Sequence, residues 1–129
     1  MEDSHREDGV PAAEHAAVAR RLAAERALAD ARITGLERDF AQIVEANADV
    51  AVDDEHDPEG SSTAFERSHV AALLAQAREL RAELDHAAQR LEDGVYGRCE
   101  ECGEPIAPDR LDVRTAARTC LRCASTRHG

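Results

Sequence analysis

The four cysteines of the chain, Cys99, Cys102, Cys120 and Cys123, fall in two Cys-x2-Cys pairs separated by seventeen residues. A turn such as Cys99-Glu100-Glu101-Cys102-Gly103 lets two thiolates converge on one cation. Two such turns complete the four-sulfur tetrahedron that Zn²⁺ favours in closed, structural sites. The competing reading is a disulfide framework. It is disfavoured because no signal-like apolar segment accompanies the cysteines and because cysteines two apart are better placed to share a metal than to bond each other. The spacing therefore predicts one structural zinc ion held by Cys99, Cys102, Cys120 and Cys123, with no open coordination position for chemistry.

The rest of the 129 residues cannot build a thick globular core, because Phe40, Phe65 and Tyr96 are the only aromatic rings. Ala, Arg, Glu, Asp and Leu dominate, lysine is absent and all sixteen basic residues are arginine, a composition that suits long helices. The formal charge of -11 is uneven. Residues 1–93 hold 10 Arg against 22 acids, whereas residues 94–129 hold 6 Arg against 5 acids. So acidic a chain repels nucleic-acid phosphates, which argues against sequence-specific DNA binding and for a protein partner. Arg110, Arg114, Arg118 and Arg122 are placed to make a small basic face, too weak a cation source to offset that repulsion. No run of eighteen apolar residues exists and the N-terminus is charged, so a cytoplasmic protein with no membrane segment is expected.

Hydrophobic periodicity predicts two helices. Residues 1–10 read as disordered, and Pro11 suits a first helical position. Leu22, Ala29, Leu36 and Ile43 then recur every seven residues with Ile33 and Phe40 between them, a narrow apolar seam that falters at Arg26 and ends near Asn47. The second seam is Val70, Leu73, Ala77, Leu80, Leu84, Ala87 and Leu91. Thr63-Ala64-Phe65-Glu66 reads as a capping box at its start and Gly94 as its stop. Two seams of similar length are most simply paired as an antiparallel hairpin within one monomer, and a dimer or four-helix bundle is the alternative. The expected fold is thus mainly α: a long antiparallel helical hairpin over residues 11–93, followed by a small four-cysteine zinc module over residues 94–129.

Between the seams lies an acidic turn, residues 48–62, with Asp53, Asp54, Asp57 and Glu59 around Pro58 and Gly60. An isolated charge run is ordinarily a solvated loop. Alternating Asp53, Glu55 and Asp57 do not match the calcium loop of an EF-hand, because the spacing to Gly60 is wrong. No nucleophile and base stand together in the sequence, so an enzyme is not expected.

One pattern ties these parts together. Tyr96-Gly97-Arg98-Cys99-Glu100-Glu101-Cys102-Gly103-Glu104-Pro105-Ile106, then Arg110-Leu111, then Cys120-Leu121-Arg122-Cys123 resembles the four-cysteine zinc finger of the DksA/TraR family, and the preceding helical hairpin agrees with that family's coiled coil. The resemblance implies a regulator of bacterial transcription that binds RNA polymerase directly. Its coiled coil would enter the secondary channel and place the acidic tip, here Asp53, Asp54, Asp57 and Glu59, near the active centre, with the zinc module at the channel rim. It also makes Arg110 and Arg114 candidate contacts for polymerase or for the alarmone ppGpp.

The chain departs from the family pattern in several places. The tip offers Asp54-Glu55-His56-Asp57 with Glu59 where the family motif has alanine, Thr115 stands where proline is usual, and the six residues after Cys123 leave a final helix short or absent. Of the family's basic alarmone positions only Arg114 matches in register. Glu83 and Ala124 occupy the others, so a weak ppGpp response is expected. A zinc-braced coiled-coil adaptor for an unrelated protein is the alternative function.

Overall fold

The structure, a computed structural model, describes residues 12–50 and 58–128, with side chains described over 12–46 and 62–126. Helix α1 runs Ala12–Val50 and α2 runs Pro58–Glu92; two short helices, α3 (Pro108–Val113) and α4 (Leu121–His128), belong to the cysteine-bearing segment. Among the described residues there is no strand, only an isolated antiparallel bridge between Arg98 and Pro105. Alanine, leucine, arginine and glutamate are the strongest helix formers, and no proline interrupts residues 12–57, which accounts for the 39-residue length of α1.

Helix α2 begins five residues before the expected capping box. Proline at a first helical position is pre-set for the helix, so Pro58 suits the first residue of α2. Thr63 and Glu66 consequently lie inside the helix. Helix α1 runs to Val50, slightly past Asn47. Gly94 does end α2: at φ 80° it lets its own N–H donate to Leu91 O at 3.2 Å and the Val95 N–H donate to Arg90 O at 3.0 Å. These are the paired bonds of a Schellman cap, and a residue with a Cβ is strained there.

The chain divides into two compact units, residues 27–81 and residues 1–26 with 82–129. In the first, Leu36, Leu74 and Ala77 are buried together, with Ile33, Val70 and Leu73 packed against them. Asp30 pairs with Arg81 at 2.6 Å and Glu37 with Arg78 at 2.8 Å, so numbers rise along α1 as they fall along α2. The helices are antiparallel partners within one chain.

The α2 seam differs from the heptad reading at one turn. Leu80 is 46% exposed, whereas Leu74 is buried and Arg81 lays its stem inward with its side chain 24% exposed. At this turn Arg81 takes the inward place expected for Leu80, and the heptad position is regained at the buried Ala87. The Asp30 carboxylate then holds the Arg81 guanidinium at the rim of the seam.

In the second unit, Leu22, Leu84, Ala87 and Leu91 are buried, Leu22 and Leu84 almost completely. Arg26, where the α1 seam falters, pairs with Asp85 of α2 at 3.0 Å. The cysteine-bearing segment packs on the same unit through Tyr96, Ile106, Ala116, Ala117 and Thr115, all buried.

Candidate metal centre

Each cysteine pair sits on a backbone turn that points its sulfurs the same way. In the first, the Cys99 N–H donates to Glu104 O at 2.8 Å, the Gly103 N–H to Cys99 O at 3.0 Å and the Ile106 N–H to Gly97 O at 2.7 Å. Gly103 takes φ 78°, the left-handed conformation that closes the knuckle without a Cβ penalty. In the second, Cys120 stands just before α4 and Cys123 in its first turn, with the Ala124 N–H donating to Cys120 O at 3.0 Å. The Glu100 N–H donates to Arg118 O at 2.8 Å, which fastens one knuckle to the approach of the other.

The four Sγ atoms lie within 4.8 Å of one another, and Cys102 Sγ is 3.8 Å from Cys120 Sγ. Four sulfurs about 2.3 Å from a central Zn²⁺ stand about 3.8 Å apart along a tetrahedral edge. The residues therefore fit one zinc ion. The thiols have strongly divided acidities. Burial works to raise Cys99, but N–H groups of Cys102, Cys120 and Glu101 donate to its sulfur and lower it to about 6. Cys123 is raised to about 12, first through its contacts with the Cys120 and Cys99 sulfurs and then by burial. Ionising one thiol makes the next costlier, and a divalent cation removes that conflict. Arg122 adds a positive charge beside the Cys102 sulfur.

Two polar clusters attach this module to the long helices. Glu100, inside the first knuckle, accepts from His86 Nε2 and pairs with Arg90 at 3.2 Å and Arg118 at 3.1 Å. Burial raises its carboxyl, and the hydrogen bonds from His86 and Arg118 outweigh that and hold it below its ordinary range. Arg90 also donates to Val95 O at 2.9 Å and to Arg98 O. In the second cluster the Thr115 hydroxyl donates to Glu25 at 2.6 Å, the Tyr96 hydroxyl donates to Thr115 O at 2.7 Å, and Arg21 pairs with Glu25 at 3.2 Å while donating to Asp112 O. None of these partners was readable from spacing. The available hint was compositional: a cation such as Arg90 in the last turn of a helix is favoured by the dipole there.

Arg110 and Arg114 are brought together with Arg122, Val113 and Leu121 around an open groove of about 690 Å³ between α3 and α4. Arg118 is not part of it; its guanidinium is turned to Glu100. Arg110 donates to Thr119 O at 2.9 Å, and Arg114 stands 3.9 Å from Glu83 of α2. The final helix is present, eight residues long. Asp53, Asp54 and Asp57 lie outside the described residues, as do the side chain of Glu59, the segment 1–10 and Pro11.

Residues 94–127 match the model of the prokaryotic DksA/TraR C4-type zinc finger. This module belongs to that family. The DksA/TraR resemblance extends to individual relatives: the chain is 47% identical over 51 residues to the RNA polymerase-binding transcription factor DksA of Caulobacter vibrioides, covering 40% of this chain and 35% of that protein. It is 31% identical over 72 residues to the uncharacterized protein YteA of Bacillus subtilis, covering 56% of this chain and 30% of that one. The alignments thus span about a third of the length of the curated relatives. Among solved structures, the transcription factor DksA2 from Pseudomonas aeruginosa superposes with a TM-score of 0.73 at 26% identity, over 91% of this chain and 84% of that one. The helical hairpin followed by a DksA/TraR zinc finger is therefore the architecture of the whole described chain. No described helix is long and apolar enough to cross a membrane.

Proposed function

We propose that this protein is a non-enzymatic, cytoplasmic regulator of bacterial transcription that binds RNA polymerase through its secondary channel, with zinc as a structural brace. The observation that carries the reading is the likeness to DksA2 along nearly the whole chain, joined to a zinc module of the matching family. Paired helices without a broad core are narrow enough for a pore that excludes a globule. On this reading the acidic segment with Asp53, Asp54, Asp57 and Glu59 acts on the polymerase active centre, where carboxylates near catalytic Mg²⁺ change the local field strongly. The groove around Arg110 and Arg114 is the rim contact. The protein acts as a monomer, because seam residues of both helices, among them Leu22, Leu36, Leu74 and Leu84, are buried within one chain. The response to ppGpp is weak: Glu83 faces Arg114, so an anionic ligand meets a cation already accompanied by a carboxylate.

The test is transcription in vitro with purified polymerase. Asp54→Asn together with Asp57→Asn should leave polymerase binding near the wild-type level and remove most of the effect on initiation. Unchanged regulation by the double variant would show that the tip is not the acting group. Capture of other proteins without any core polymerase subunit would favour the adaptor reading instead.

A further inference from the structure

The acid inside the first knuckle has an arrangement that metal binding alone does not require. Glu100 lies between two zinc ligands in the sequence, and its carboxylate meets His86, Arg90 and Arg118. His86 and Arg90 come from the last turns of α2, Arg118 from the strand of chain leading to Cys120. The Glu100 main chain adds a bond to Arg118 O at 2.8 Å. Arg90, only 15% exposed in its side chain, spends its remaining donors on the carbonyls of Val95 and Arg98, the segment between the α2 cap and Cys99. One carboxylate thus gathers the first knuckle, the approach to the second and the end of α2.

We propose that Glu100 is a positioning residue that couples zinc occupancy to the order of the α2 C-terminus. Zinc fixes the two knuckles relative to each other; only with both fixed do Arg118 and the α2 residues His86 and Arg90 meet at the same carboxylate. With zinc bound, the clasp holds the last turns of α2 from Leu84 to Glu92. With zinc removed, the four thiols relax, Arg118 and Glu100 separate, and the last turns of α2 lose their attachment. The coupling runs both ways: a partner that strengthens α2 raises zinc affinity, because linked equilibria are reciprocal.

The experiment measures two quantities on the full-length zinc-loaded protein. Zinc affinity is read by competition with a chromophoric chelator, and backbone amide exchange is followed over residues 84–92 with and without metal. In the wild-type chain, zinc removal should speed exchange over residues 84–92 about tenfold or more. In Glu100→Gln zinc should still bind, about tenfold more weakly, within the range for partners that orient metal ligands, and exchange over residues 84–92 should become nearly indifferent to the metal. Glu104→Gln, which removes an equal charge from the same knuckle, should behave as wild type. Arg90→Gln leaves both knuckles intact and must also uncouple α2 from the metal, which keeps the proposal testable if Glu100→Gln does not fold. Undiminished metal-dependent protection of residues 84–92 in either clasp variant overturns the proposal. So does a loss in Glu100→Gln no greater than in Glu104→Gln.

Discussion

The hydroxyl of Thr115 donates to the carboxylate of Glu25 at 2.6 Å across 90 residues of sequence. Thr115 is only 3% exposed, and its carbonyl simultaneously receives the Tyr96 hydroxyl. It stands where the DksA/TraR pattern usually has proline, which has no hydroxyl to give. The substitution thus supplies a polar bolt between α1 and the zinc module.

Thr115→Val keeps the shape and removes the donor. Hydrogen bonds to charged groups are worth about 1.5–3 kcal/mol, and Arg21 remains to accompany Glu25, so a loss near the lower end of that range is expected. Chemical denaturation followed by circular dichroism checks it. A midpoint equal to wild type would mean that Arg21 alone satisfies Glu25.

The displaced seam gives a paired prediction. Leu84 is completely buried and Leu80 is 46% exposed. Leu84→Ala should therefore cost about 2–5 kcal/mol, and Leu80→Ala well under about 1 kcal/mol, because little apolar area is removed. A strict heptad would make the two costs alike, so thermal melts of the two variants decide between them.

The helical hairpin and the zinc ligands were legible in the sequence because each rests on a local rule: seven-residue apolar recurrence for Leu22, Ala29 and Leu36, and two-residue spacing within each cysteine pair. Gly94 was legible for the same reason. What could not be read depends on where distant segments meet. Nothing in the pattern assigns Glu100 to His86, Arg90 and Arg118, or Thr115 to Glu25. The start of α2 was misplaced because Thr63 and Glu66 satisfy a capping pattern that Pro58, five residues earlier, overrides. Leu80 was misplaced because Arg81, paired with Asp30, takes the inward place at that turn, a contact between distant residues that spacing does not show.

Tyr96, the sole tyrosine, reports on the packing of the module. Burial raises its phenol above the ordinary value of 10.0, a shift only partly offset by Arg21. The neutral form is thus favoured in the folded state. Its contribution to stability is complete below pH 10 and is lost as pH rises through the higher folded value. Tyrosinate absorbance should titrate above pH 10 in the native protein and near 10 in denaturant. Coincident curves would mean that the ring is solvated.

If the proposed ppGpp contact at Arg114 holds, the nearby Glu83 carboxylate is the group that weakens it. Glu83→Lys should replace the carboxylate with a second cation and raise the effect of ppGpp on transcription by about tenfold, the equivalent of about 1.4 kcal/mol. Titration of ppGpp into the polymerase complex measures this. A strong wild-type response, unaltered by the substitution, would contradict the assignment.

The most direct test of a polymerase-bound regulator is chemical crosslinking of the full-length zinc-loaded protein to purified core RNA polymerase, with the linked residues mapped on both partners. The account predicts links from the acidic segment between α1 and α2 to the interior of the secondary channel, and from the zinc module to its rim. Links confined to the outer surface of polymerase, or none to any core subunit, would contradict it.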